Sequence, residues 1–139
     1  MKKVVLATIL LLSCLSISCS QEDYTNKSDR EKRKGYKEAN IYLYGYKSGE
    51  IDKESKRLLA TEKYDEEGNL ITDIGKYDKA VYRYNDKGLL IEKQFFRIDN
   101  DEEPLRFVKY KYNDKGLLIE EIEHNKEGEP TTIIIYEYN

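Results

Sequence analysis

From Asn40 to the end, apolar and polar residues alternate with a period close to two, the spacing of a strand with unlike faces. Ile41-Tyr42-Leu43-Tyr44-Gly45-Tyr46 sets three tyrosines on one side of an extended segment, and Lys47-Ser48-Gly49-Glu50 has turn composition. Further strands are predicted over 56–64, 69–74, 80–84, 89–97, 105–112, 117–124 and 131–138, although Arg57-Leu58-Leu59-Ala60 also suits a helix. Between them stand Asp65-Glu66-Glu67-Gly68, Tyr77-Asp78-Lys79, Asp99 to Pro104 and Asn125 to Pro130, all turn or loop sequences. Strands joined by hairpin-length connections predict an all-β fold, an antiparallel meander of repeated hairpins forming a curved sheet. Before Asn40 the pattern breaks. Val4 to Leu12 is an apolar run interrupted only by Thr8, and residues 20–38 are polar, with Arg30-Glu31-Lys32-Arg33-Lys34 at their centre.

The meander is internally repetitive. Tyr82-Arg83-Tyr84-Asn85-Asp86-Lys87-Gly88-Leu89-Leu90-Ile91-Glu92 returns 28 residues later as Tyr110 to Glu120, with Lys111 in place of Arg83 as the one change. Tyr64-Asp65-Glu66-Glu67-Gly68-Asn69-Leu70-Ile71 is a degraded copy and Tyr136-Glu137-Tyr138-Asn139 a truncated one. Each unit reads as strand, turn, strand. Asn85 can bond backbone two residues on, as the first residue of a type I turn, and Gly88 and Gly116 suit the left-handed position of a bulged hairpin. Strict alternation places Tyr82, Tyr84, Leu90, Tyr110, Tyr112, Leu118, Tyr136 and Tyr138 on one face. It places Val81, Leu89, Ile91, Phe95, Leu117, Ile119, Ile133 and Ile135 on the other. A single sheet of this length cannot cover both faces, so it is expected to curl or to meet another molecule. Thr131 to Tyr136 is an apolar stretch suited to aggregation if left as an edge.

Composition narrows the function. Charged residues make up 37% of the 139, yet 13 are tyrosine, which separates the chain from a disordered polyampholyte. The formal charge of −3 becomes −5 once Lys2 and Lys3 are removed with the leader, which argues against nucleic acid. Cys14 and Cys19 both lie near the N-terminus, so the body has no intrachain disulfide framework. His124 is the single histidine and ends a strand. Asp99, Asp101 and Glu103 alternate as calcium ligands would, but Pro104 occupies the position where a calcium loop needs Gly, and no Glu closes it. No metal site and no cofactor are expected. No nucleophile set and no glycine-rich phosphate loop stand out, so an enzyme is not expected.

The N-terminus carries information about location, beginning with Lys2-Lys3 and the short apolar run. The run is shorter than the roughly 20 residues a spanning helix needs, and residues 1–18 read as an export signal. Leu15-Ser16-Ile17-Ser18-Cys19 resembles a bacterial lipobox, in which the cysteine is diacylated and becomes the new N-terminus. Leu11-Leu12-Ser13-Cys14 is a competing match. Cys19 is preferred because polar sequence follows it at once. The resemblance implies a lipoprotein signal over 1–18, a polar tether over 19–38, in which Ser28 to Lys34 could form a short helix stopped by Gly35, and a β domain over 39–139. It also implies an exported protein, lipid-anchored in the bacterial cell envelope at the outer membrane or cell surface.

Tyr82, Tyr84, Asn85, Gly88 and Leu90, with Tyr64, Asp65, Gly68, Asn69 and Leu70, resemble the YD repeat of RHS and teneurin-type shells. Asn stands for the usual Asp at 85 and 113, and Leu for a polar residue at 89 and 117. Those families build long β-meanders curled into a hollow shell. Four units enclose nothing, so the resemblance implies the local hairpin alone. The expectation is therefore a non-catalytic binding or interaction module working through a tyrosine-rich sheet. Its partners would be the membrane through the lipid, an unknown protein or glycan, and a second copy of the chain. The alternatives are an immunity-type protein that neutralises a partner toxin and a structural envelope component. Tyr42, Tyr44 and Tyr46 are the candidate binding residues, because they lie outside the strict repeat and nearest the tether.

Overall fold

In a computed structural model, the structure describes residues 27–138. The export signal, Cys14, Cys19 and the first part of the tether lie outside the described residues. The rest is a helix α1 (Lys27–Arg33) followed by strands β1 (Glu38–Lys47), β2 (Glu50–Tyr64), β3 (Leu70–Ile74) and β4 (Asp78–Tyr84). Strands β5 (Leu90–Arg97), β6 (Arg106–Tyr112), β7 (Leu118–Asn125) and β8 (Pro130–Ile135) complete the chain. All eight strands form one open, curved antiparallel sheet in sequence order. The predicted fold class is thus the observed one. No helix among the described residues is long and apolar enough to cross a membrane.

The repeated turns fold alike. In the 85–89 turn, Asn85 N donates to Leu89 O (2.9 Å) and Gly88 N to Asn85 O (2.8 Å). The Asn85 carboxamide oxygen accepts from Lys87 N and Leu89 N at 3.0 Å each. The 113–117 turn repeats every one of these bonds. Asp65 and Asn125 head two further copies, closed by Gly68 N→Asp65 O and Gly128 N→Asn125 O. Gly68, Gly88, Gly116 and Gly128 all have φ between +74 and +85°, the region open to glycine without a Cβ penalty. The 125–129 segment is therefore a full turn of the same kind, although its neighbours in sequence lack the Tyr-x-Tyr signature.

Each turn carries a bulge, and the bulge changes which residues share a face. Tyr84 pairs with Leu90, but Arg83 pairs with Glu92, so Ile91 is the extra residue. Ala80, Tyr82 and Tyr84 then share their face with Phe95, Lys93 and Leu90. Phe95, expected opposite the tyrosines by strict alternation, lies with them, and the Lys93 ammonium stands 5.0 Å from the Tyr82 ring and 4.8 Å from that of Phe95. An inserted residue reverses parity for the remainder of its strand.

The core sits on this tyrosine face. Tyr64, Leu70, Ala80, Tyr82 and Leu90 are buried there, with Ala39, Tyr84, Phe95 and Tyr110 packed around them. The helix closes one end. Arg33 Nε donates to Gly68 O (3.2 Å), its guanidinium lies 5.2 Å over the Tyr64 ring, and Arg30 reaches the Asn69 carboxamide. The predicted tether is thus part of the folded body from Lys27 on. The short helix is present, with Ser28 inside it rather than at its cap, and Gly35 (φ +82°) ends it. On the opposite face Phe96 is buried beneath Lys79, whose ammonium is 5.0 Å from the ring and 2.6 Å from Asp101.

Candidate functional site

The β1–β2 hairpin lacks the five-residue turn of the repeat. Its turn is a tight two-residue one, with Ser48 (φ 55°) and Gly49 (φ 84°) both left-handed, as a type I′ turn demands. β2 is 15 residues long, yet it pairs with β3 only through Thr61 to Tyr64. Residues 50–60 have β1 as their one strand neighbour, so the hairpin projects beyond the sheet as a two-stranded ribbon. Regular pairing breaks between Leu43 and Gly45. There Ser55 Oγ accepts from Gly45 N (2.6 Å) and donates to Asp52 O (2.7 Å), holding the 53–56 segment out of register.

Tyr42, Tyr44 and Tyr46 are all on this ribbon, 43, 38 and 76% exposed. Around them Ile41, Leu43, Ile51, Leu58 and Leu59 are also exposed. The Lys56 ammonium lies 3.9 Å from the centre of the Tyr42 ring, a cation–π contact that orients the ring without covering the ribbon. Leu58 and Leu59 were not singled out by sequence. Their adjacency resembled helix, and only the pairing of Leu58 with Tyr42 puts them on the ribbon. The structure thus sets Leu58 beside Tyr42 and Ile51 beside Tyr46, with Ile41 and Leu43 exposed on the other face of the same ribbon.

The other tyrosines do different work. Tyr84 Oη donates to Leu70 O (2.9 Å), Tyr112 Oη to Leu90 O (2.8 Å) and Tyr138 Oη to Leu118 O (2.6 Å). In each case the second tyrosine of a unit caps the leucine carbonyl at the bulge of the unit before it. Tyr64 stands at the head of the series and donates to Glu62 instead. Burial, then that bond and the Glu62 charge, push its phenol up to about 12. Tyr136 donates to Glu121, and this bond, with burial second, also raises its phenol to about 12.

The remaining chemistry is local pairing. Arg97 holds Asp99 with two bonds (2.9 and 2.8 Å) and Lys79 holds Asp101, which lowers both carboxyls. His124 stacks on Phe107, ring centres 4.6 Å apart, and its Nδ1 lies 3.1 Å from Ile122 O. Asp73 sits opposite Glu62 on the tyrosine face, and burial first, then the Glu62 charge, raises its carboxyl. Among the described residues no three His, Cys, Asp or Glu side chains are grouped so as to hold a metal ion.

No protein-family model matches the chain, and no curated protein sequence does. Among solved structures, it is similar to a DUF3836 family protein from Parabacteroides distasonis, 23% identical over 70% of this chain and 91% of that one, with a TM-score of 0.36. It is also similar to TarM, at 18% identity and a TM-score of 0.27 over 80% of this chain, which spans 18% of TarM. Neither likeness bears on activity.

Proposed function

We propose that the protein is a non-catalytic binding module of the bacterial cell envelope, held there by lipid on Cys19, and that the β1–β2 ribbon is its recognition surface. One observation carries this reading: Tyr42, Tyr44 and Tyr46 are exposed with Ile41, Leu43, Leu58 and Leu59 on a hairpin that no other strand supports. A two-stranded hairpin alone is marginal in water, and a partner that covers it supplies the missing burial. Large, stiff aromatic side chains suit such contacts because little rotamer freedom is lost on binding. A protein partner is favoured over a glycan by the aliphatic share of the surface, to which Ile41, Leu43, Ile51, Leu58 and Leu59 contribute.

Photo-crosslinking amino acids at positions 42, 44 and 46, in intact cells, test the surface. Adducts of one defined protein at these positions, and none at the exposed turn residue Lys87, are expected. Adducts lost on glycosidase treatment would move the partner to glycans, and equal adducts at Lys87 would end the ribbon reading. The anchor is tested by fatty-acid labelling. Cys19→Ser is expected to lose the label while Cys14→Ser keeps it. The reverse result reassigns the site, and label retained by neither parent nor variant removes the lipoprotein reading.

A further inference from the structure

We infer that β8 is a homodimer interface, at which two copies join edge to edge in one register and extend the sheet to twice its strands. The inference is independent of the ribbon reading. β8 is an edge strand, and Thr131 to Ile135 holds no charged residue. Ile133, Ile134 and Ile135 are 58, 45 and 59% exposed. Natural edges are ordinarily blunted by lysine, proline or a bulge. β8 has Pro130 and a register shift only at its start, whereas β1, the other edge, is broken twice, after Ile41 and after Leu43. A straight, neutral edge accepts a strand that a bent one rejects.

The occupant and its register follow from hydrogen bonding and charge. Tyr136 N donates inward to Ile119 O. Alternation then turns the N–H and C=O of Ile135 and Ile133 outward and those of Ile134 inward to Glu121, up to the register shift at Thr131. A second β8, related by a twofold axis perpendicular to the sheet, keeps each face continuous. It must therefore pair residues of equal parity, and keeping Ile133, Ile134 and Ile135 all paired inside β8 leaves the axis at Ile133 or at Ile134. With the axis at Ile133, Glu129 of each copy stands opposite Glu137 of the other, two like-charge pairs. With the axis at Ile134, Glu137 meets Thr131, Ile133 meets Ile135 twice through their outward backbone groups, and Ile134 meets itself. The sequence is self-complementary in that second register alone. Ile134 shares the face of Tyr110 through Glu121, so the dimer covers one isoleucine pair on that face and two on the other.

The test is disulfide trapping in the full chain, with Cys14 and Cys19 replaced by serine so that an introduced cysteine is alone. An antiparallel pair without backbone bonds sets Cα atoms about 4.5 Å apart, within disulfide range. Mild oxidation of Ile134→Cys is expected to give a covalent dimer of twice the mass, and Ile133→Cys none, because its neighbour is Ile135. Adding Ile135→Lys to Ile134→Cys should abolish the dimer while far-ultraviolet circular dichroism stays unchanged. No dimer from Ile134→Cys overturns the inference, as does an equal yield from Ile133→Cys. Trapping through Tyr46→Cys without Ile134→Cys would place self-association on the ribbon and overturn it too.

Discussion

Gly68 and Gly116 occupy the same place in the repeat and share a left-handed backbone, but their surroundings differ. A Cβ on Gly116 meets nothing within 4 Å, whereas one on Gly68 would stand 2.2 Å from the Arg30 carbonyl oxygen of α1. Gly116→Ala is expected to cost about 1 kcal/mol from the backbone alone. Gly68→Ala should cost more, because the helix must shift from its seat, and urea unfolding of the two variants measures the difference. Two phenols make a second residue-scale prediction. Tyr64 and Tyr136, at about 12 in the fold against 10.0 unfolded, keep their protons where an unfolded chain loses them. Their contribution to stability is therefore fully present below pH 10 and is lost as pH rises from about 10 through about 12. Near-ultraviolet titration should show two late tyrosines, and Tyr64→Phe should lose one of them and flatten the alkaline decline in stability.

At the scale of elements, the repeat is a device for joining one hairpin to the next. The single residue that differs between the two long copies shows the constraint: Arg83 lies 3.7 Å from Glu92, and Lys111 pairs with Glu120 at the equivalent place. The hydroxyl-to-carbonyl bonds are the stronger link. Removing one from a partly buried site costs about 1 kcal/mol, so Tyr112→Phe should lose about that much in a denaturant titration, and the more exposed Tyr138→Phe less. Strand order and turns were legible in the sequence because Asx-x-x-Gly chemistry acts within five residues. Face assignment failed at Phe95, because a bulge reverses parity and leaves no mark in the hydrophobic pattern. The extent of β2 was missed for a related reason. Asp52-Lys53-Glu54-Ser55 lies on an uncovered ribbon, where nothing requires alternation. The docking of α1 could not be read either, since it depends on Gly68 and Asn69 meeting Arg30 and Arg33 across more than thirty positions of chain.

Across the whole molecule, burial is uneven. Tyr82, Leu70 and Leu90 are 1–3% exposed at the centre, while the ribbon and β8 are open along their length. Opening free energy follows this gradient. In native-state hydrogen exchange, amides of β4 and β5 should exchange slowest, and those of residues 41–58 fast, approaching β4 rates only in the presence of a bound partner. Deleting residues 42–57 and closing the gap with a short turn should leave the melting temperature of the rest within a few degrees. A large fall would mean that the ribbon supports the core.

The Tyr-to-Leu link also gives the chain an indel grammar. Each unit is addressed only to the one before it, so its neighbours are interchangeable wherever the spacing is kept. Excising residues 82–109 joins Val81 to Tyr110 and sets Tyr112 over Leu70 in place of Tyr84; duplicating the same 28 residues adds a hairpin whose tyrosine finds Leu90 waiting. Because the two long copies differ at one position in eleven, recombination between them is in-frame and register-preserving. Variants one unit shorter and one unit longer should both fold cooperatively, with unfolding m-values in the order of their unit number. Distance between the α1 end and the β8 edge is then a quantity that copy number alone can tune.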